Sequence, residues 1–555
     1  MVKISTTVAL LLAAAATACG IPAQDDSAAL GRHQAALSAA PAAGCAVGTS
    51  TDPLVVATTR GLVRGKRVAS TVAFLGIPFA MPPVGALRFA PPAEAACWSG
   101  TLATTAYGSA CPQKNQDTGH VDGNEDCLTL NVWTPNADKA ARLPVLVFLY
   151  GGGHLTGSSN EVILTNLYDG QALATREQAV VVTPNYRLGA LGFFADPSLD
   201  AENPKGVSGN QGTLDQIAAL QWVQNNIAAF GGDPTRVMLF GESAGAIDVC
   251  TLMASPLAAG LFNSALMESG ACGARTQAAQ KATSAALAQK LGCTTDVAHC
   301  MRGLTAEQVI AATESFNDVL KDLILFKPAD RLAGSMPWTS SVDGYVLPDF
   351  PLTVIAAGSH NKVPLIVGSN ANEAAIMAPP GPRLCSQYQS DMKTIFGTNA
   401  DQVLKEYPCQ FWQPRQAQMD VMTDFLFTCT ARHAARAAAP SASVFRYFFT
   451  HGSASGLDAL LGAYHSLELA YVFHTFGAKG YTPTAGEQTL ANNIEDYWGS
   501  LAATLSPATK GLAWPSYTAA SEQVLQLDLS LSASTDVRPA KCDFWDSLYP
   551  AGAGG

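Results

Sequence analysis

The chain has little charge. Asp, Glu, Lys and Arg make up only 14% of its 555 residues, and 33 basic side chains face 44 acidic ones. A net charge of −11 with no long Lys/Arg run lacks the electrostatic footprint of a nucleic-acid ligand. There is no C-x-x-C pair, and the nine histidines do not fall beside cysteines at zinc-ligand spacing, so no structural metal site is expected. Gly (48) and Pro (32) run slightly high but show no triplet period, which excludes a collagen-like chain. After residue 50 there is no low-complexity break, charged run or internal repeat, hence no domain boundary. Nor is any later apolar run long enough to cross ~30 Å of hydrocarbon. What the chain does have is apolar surface: 48% hydrophobic residues fill a large core and exclude general disorder. These features describe a soluble globular enzyme or binding protein.

The N-terminus reads as a targeting segment. Lys3 supplies a positive charge, and the Ala/Leu stretch Val8 to Ala18 is too short to span a bilayer but suits a signal-peptide core. Ala16-Thr17-Ala18 fits an A-x-A cleavage site, so residues 1–18 are expected to be a signal peptide. Cys19 follows at once. The same residues therefore resemble a bacterial lipobox, with Ala16 where Leu is usual, and two fates stay open: release, or membrane attachment through a lipidated Cys19. Residues 19–50 are Ala/Ser/Gln/Asp-rich and aperiodic over most of their length, as a flexible tether would be. Setting Cys19 aside leaves 12 of the 13 cysteines, an even number that favours disulfides in an exported chain. Cys111/Cys127 and Cys293/Cys300 are close enough to close short loops.

Between residues 51 and 550 one domain is expected. Short apolar runs with Gly or Pro borders read as buried strands: Leu143–Tyr150, Ala179–Thr183, Val237–Phe240, Val363–Val367 and Val444–Phe449. Leu214–Ala229 is helical in pattern, with Leu214, Ile217, Leu220, Val223 and Ile227 spaced along one face. Gly231-Gly232-Asp233-Pro234 stops it. Buried strands alternating with helices predict an α/β fold, a large mostly parallel sheet with helices on both faces.

The chemistry centres on Gly241-Glu242-Ser243-Ala244-Gly245, a G-x-S-x-G sequence between the strand Val237–Phe240 and a potential helix from Ala246 to Met253. In a strand–turn–helix elbow the serine holds a strained backbone, and its hydroxyl stands clear above a helix N-terminus. A serine nucleophile needs a base, an acid that orients the base, and an oxyanion hole. Strand Leu143–Tyr150 runs into Gly151-Gly152-Gly153-His154, an HGGG-like turn with Tyr150 in the leading position. The N–H groups of Gly152, Gly153 and Ala244 are the candidate oxyanion donors. Four later histidines are candidate bases. His433 lies in an Ala-rich helical run and His474 on an apolar helix expected over Leu467–Phe476, positions typical of surface or core histidines. His451 closes a strand, and His465 lies in the loop Gly462–Ser466 that opens a helix. The loop favours His465, with His451 an open rival. Glu373, in the loop after strand Val363–Val367, is the candidate acid, with an ordinary surface Glu as its alternative.

The chain resembles the type B carboxylesterases, the branch of α/β hydrolases that includes the cholinesterases. The matching stretches are Phe74–Ala80, Glu125–Val132, Tyr150–Gly153, Asn185–Gly189, Leu214-Asp215-Gln216, Gly231–Pro234 and Gly241–Ala246, and the likeness covers roughly residues 52–550. It implies the α/β-hydrolase fold, Ser243 as nucleophile, Glu373 as acid and His465 as base, with Gly152, Gly153 and Ala244 as oxyanion donors. His451 is thereby demoted. The acid loop departs from the family in having Ala374 where Gly is usual. The resemblance pairs Cys111 with Cys127, Cys293 with Cys300, and Cys429 with Cys542. The pairing of the remaining six stays open, with Cys250–Cys272, Cys385–Cys409 and Cys45–Cys97 as the expected set. Ser269 and Glu468 are expected to support the histidine, and Glu242 either lends charge beside the nucleophile or serves as a structural acceptor.

The implied activity is hydrolysis of a carboxylic ester through an acyl-enzyme, with a small-molecule ester as partner and no cofactor, because side chains and water suffice. The rate should rise with pH through an apparent pKa near ~6–7, as an ordinary histidine base requires. Gln113–Gly123 contains no Phe, Trp or Tyr, so the aromatic contact of a choline site is missing there. The short polar loop between Cys111 and Cys127 favours an esterase of short or medium acyl or aryl esters over a lipase with an apolar lid. A lipase, an amide or carbamate hydrolase with the same triad, and a non-catalytic cholinesterase-like binding domain are the alternatives.

Overall fold

A computed structural model describes residues 45–550 of the protein, apart from 161–165, 324–335, 379–380, 382, 411–412, 454–456, 509–512 and 536. The expected signal peptide, Cys19 and the tether up to residue 44 lie outside the described residues. The frame is an eleven-stranded sheet. In chain order its strands are β1 (Lys66–Val68), β2 (Thr71–Pro78), β3 (Thr129–Thr134), β4 (Leu143–Leu149), β5 (Val180–Pro184) and β6 (Gly232–Glu242). β7 (Ser264–Glu268), β8 (Leu365–Asn370), β9 (Val444–Phe449), β10 (Gln523–Leu527) and β11 (Ser532–Thr535) complete it. The spatial order is β11-β10-β9-β8-β7-β6-β4-β5-β3-β2-β1. The seven strands from β10 to β5 in that order are parallel to their neighbours. β3, β2 and β1 at one edge and β11 at the other run antiparallel.

The expected fold class holds, and alternation along single strands shows why. On β4, Leu146 and Phe148 enter one core while Val145, Val147 and Leu149 enter the other. On β6, Met238 and Phe240 divide from Val237 and Leu239 in the same way. A strand covered on both faces has no polar side, so it reads as a continuous apolar run. Three helices supply the covers that matter here: α1 (Gln211–Asn226), α2 (Ala244–Ala254) and α3 (Ala485–Thr504). α1 and most of α2 pack into one core; α3 buries Leu490, Ile494, Trp498 and Leu501 in the other. The helix expected from Leu214 begins earlier, at Gln211, and ends in a 3₁₀ turn at Phe230, where Gly231 takes φ 86°. The strand expected from Val363 begins two residues later at Leu365. Pro364 has no N–H to give a ladder, but its carbonyl accepts from Ala265.

All six expected disulfides form: Cys45–Cys97, Cys111–Cys127, Cys250–Cys272, Cys293–Cys300, Cys385–Cys409 and Cys429–Cys542. Six bridges belong to a protein that matures in an oxidising compartment. Among the described residues no helix is long and apolar enough to cross a membrane.

Candidate active site

The candidate residues converge at the C-terminal ends of the central strands, where an open parallel sheet holds its ligands. β6 delivers Glu242 and Ser243, and α2 starts at the next residue. Ser243 sits at φ 56°, ψ −120°, a strained conformation for a residue with a side chain. Its N–H is held by the Glu268 carbonyl at the end of β7, 2.9 Å away, and its own carbonyl accepts from Ala246 and Ile247 in the first turn of α2. The elbow needs Gly245, because a Cβ there would collide with the Leu149 carbonyl.

β4 ends beside it in the glycine turn. A Cβ on Gly151 would lie 2.8 Å from Ser243 Cβ, so the turn and the serine are in direct apposition. Gly152 takes φ 94° and Gly153 φ 63°. Among the described residues none accepts a hydrogen bond from the N–H of Gly152, Gly153 or Ala244. The disulfide loop after Cys111 grips the far end of the turn. Gln113 Nε2 donates to the Gly157 carbonyl at 2.8 Å, and its Oε1 accepts from Thr156 Oγ1 at 2.7 Å and Gly157 N at 2.8 Å. Tyr150 and Tyr186 stack 4.4 Å apart and exchange hydrogen bonds, each hydroxyl donating to the other residue's carbonyl.

Glu373 and His465, the candidate acid and base, lie side by side. Glu373 opens a 3₁₀ turn after β8 and is fully buried. Its Oε1 accepts from Asn370 N at 2.7 Å, and its Oε2 lies 2.7 Å from His465 Nδ1. Ala374 fits without a glycine: its φ is not positive, and its N–H donates to Thr423 Oγ1. His465 Nε2 faces Glu242 Oε1 at 3.1 Å, so the imidazole bridges the acid loop to the residue just before Ser243. Glu242 also accepts from Ser466 Oγ at 2.6 Å. Both of these contacts of Glu242 are thus to the segment that carries His465.

The rival histidines have other partners. His433 pairs with Asp546, His451 with Glu487 and Asp528, and His474 with Glu495 and Gln488. The helix expected over Leu467–Phe476 spans only Leu469–Val472. His474 lies beyond it at φ 56°.

Four glutamates crowd this buried region. Ser269 Oγ donates to Glu468, as does Asn370 Nδ2, and Trp498 Nε1 on α3 donates to Glu268 Oε1 at 2.6 Å. Burial, with repulsion from neighbouring carboxylates, pushes the Glu468 carboxyl up to about 8 and that of Glu268 well above the usual range. For His465 burial opposes the charged form, but Glu242 and Glu373, with a smaller contribution from Glu468, outweigh it and hold the imidazole at about 9. This lies above the 6.5 of an ordinary histidine because carboxylates far apart in the sequence surround the ring. Among the described residues no cluster of three or more His, Cys, Asp or Glu is arranged to hold a metal ion.

The carboxylesterase family model matches residues 52–545. The chain belongs to the carboxylesterase family. It is 34% identical to the para-nitrobenzyl esterase of Bacillus subtilis (strain 168), over 88% of this chain and 97% of that protein. Liver carboxylesterase 1 of Oryctolagus cuniculus is also 34% identical, over 93% of this chain and 97% of that protein. The human (Homo sapiens) cocaine esterase shares 34% over 87% and 88%. A solved thermophilic PNB esterase superposes with a TM-score of 0.78 at 31% identity, covering 89% of this chain and 100% of that one. The protein is a carboxylic ester hydrolase with the α/β-hydrolase fold.

Proposed function

We propose that this carboxylesterase works through a Ser243–His465–Glu373 triad and a covalent acyl-enzyme. The observation that carries the proposal is His465: one ring nitrogen is fixed on Glu373 at 2.7 Å, and the other lies 3.1 Å from Oε1 of Glu242, the residue just before Ser243. His465 takes the Ser243 proton as Oγ attacks the ester carbonyl. The negative charge on the carbonyl oxygen is received by the N–H groups of Gly152, Gly153 and Ala244. His465 then protonates the leaving alcohol as the carbon–oxygen bond breaks, and water repeats the sequence in reverse to free the acid and Ser243. Glu373 holds the proton on Nδ1, so Nε2 is the accepting atom.

The favoured substrates are short or medium acyl esters and aryl or arylalkyl esters, a reading in keeping with relatives named for para-nitrobenzyl esters and cocaine. The polar hairpin Gln113–Lys114/Val121–Asp122 next to the glycine turn supports an esterase without an apolar lid. We further propose an exported enzyme, with residues 1–18 as its signal peptide, 19–50 as a tether and 51–550 as one catalytic domain. It is either released or anchored through Cys19. A p-nitrophenyl ester series of rising acyl length, run with Ser243→Ala as control and a fluorophosphonate probe, tests the proposal. Labelling confined to Ser243 and a dead Ser243→Ala variant are expected; a Ser243→Ala protein with wild-type turnover overturns it.

A further inference from the structure

The glycine turn is followed by a fully buried second histidine–carboxylate pair that the triad does not use. His154 Nε2 lies 3.0 Å from Asp248 Oδ1, and both side chains have zero exposure. Asp248 stands on α2 five residues after Ser243, and its other oxygen accepts from Gln216 Nε2 on α1 at 2.6 Å. His154 itself has φ 58°, directly after Gly152 and Gly153. Three consecutive residues are thus left-handed, and the third has a side chain that disfavours this backbone, so the surroundings must hold it there. They do so from two directions. The His154 carbonyl accepts from Gly189 N at 2.6 Å, and the ring packs 5.1 Å from the Phe193 ring. His154 Nδ1 has no hydrogen-bond partner among the described residues. The tautomer with its proton on Nε2 leaves there only an unfilled acceptor, and it donates to Asp248.

The pair links two separate chain segments. Gly152 and Gly153 lie on the loop after β4, and Ala244 lies on α2. A useful oxyanion hole requires their N–H groups to converge on one oxygen at about 2.7–3.1 Å. We infer that His154 and Asp248 are positioning residues, a cross-brace that fixes the glycine turn against the elbow helix so that the three donors converge in the transition state. This rests on the proposed triad and oxyanion hole, and it extends that reading to residues that touch no substrate.

The test begins with the wild-type enzyme and a fluorophosphonate probe. Failure to label Ser243 would overturn the triad reading and this inference with it. With labelling established, His154→Leu and Asp248→Ala are compared with wild type on a p-nitrophenyl ester. Each is expected to lose about 10²-fold in kcat, with KM changed less than about threefold, because the donors act mainly on the developing charge. The inhibition constant of a trifluoromethyl ketone, which presents a tetrahedral oxyanion, should rise by a similar factor. Asp248→Asn still accepts the imidazole N–H and should recover at least about tenfold of what Asp248→Ala loses. The double variant His154→Phe/Asp248→Ala removes the buried polar pair together and guards against single variants that fail to fold. It should match the wild-type thermal midpoint more closely than either single variant, yet stay about 10²-fold slow. Wild-type turnover in a folded His154→Leu or double variant, or a loss confined to KM with unchanged ketone affinity, overturns the inference while leaving the triad intact.

Discussion

The two halves of the site are built on opposite principles. The half around His465 is made of ionisable groups, four buried glutamates and one imidazole, and burial and mutual charge raise His465, Glu468 and Glu268 above their ordinary values. The half around the glycine turn is made of main-chain donors clamped by Gln113, the Tyr150–Tyr186 pair and the His154–Asp248 brace. Proton transfer requires groups poised to change charge, whereas oxyanion binding requires dipoles that do not move. The first half should therefore answer to pH and the second to geometry.

Variants can break or sharpen this contrast. The largest effect is expected from Ser243→Ala and His465→Ala, each losing roughly 10⁴–10⁶-fold in kcat, with Glu373→Gln near 10⁴-fold, measured on an activated aryl ester. On the other side, Gly152→Ala places a Cβ against the Thr156 carbonyl at φ 94°. It should cost about 10²–10³-fold in kcat without moving the pH profile; a moved pH limb would contradict the division of labour. Glu242→Gln should do the reverse. Loss of that charge lowers the His465 pKa from about 9 toward its ordinary value of 6.5, so the rising limb of kcat/KM should shift to lower pH. An unmoved limb would show that Glu242 does not set the base.

A control outside both halves should affect stability alone. Burial, with repulsion from Asp496 and Glu495, lifts the Glu177 carboxyl from 4.5 to about 7 against the pull of Arg176. A carboxyl raised on folding stabilises the protein below pH 4.5 and loses that contribution as pH rises through about 7. Glu177→Gln should therefore raise the thermal midpoint at pH 8, leave it unchanged at pH 4, and not alter kcat. An equal shift at both pH values would assign the effect to packing against Gly499 instead.

Much of the frame could be read from the chain because continuous apolar runs such as Leu143–Leu149 occur where both faces of a strand are covered. β7 was missed for the converse reason. Its sequence Ser-Ala-Leu-Met-Glu has no β-branched residue, and it is a strand because β6 and β8 pair with it on both sides. The edge strands β1 and β11 are short and partly exposed, with little apolar pattern to mark them. At the site, the elbow and glycine turn carry local signatures, since a strained turn admits few residue types. The acid and base do not: His433, His451, His465 and His474 each have a carboxylate partner in the fold.

By itself the amino-acid sequence determined where the chain must bend sharply, which serine stands at the bend, which stretches are buried on both faces, and that twelve cysteines could pair within the chain. These are local matters of backbone sterics, hydrophobic pattern and parity. The tertiary structure decided which histidine meets Glu373, how many carboxylates surround it, and that His154 and Asp248, 94 residues apart, meet behind the glycine turn. Hydrogen bonds and electrostatic fields act over a few ångströms in space, and no spacing along the chain encodes which distant side chains folding brings within that range.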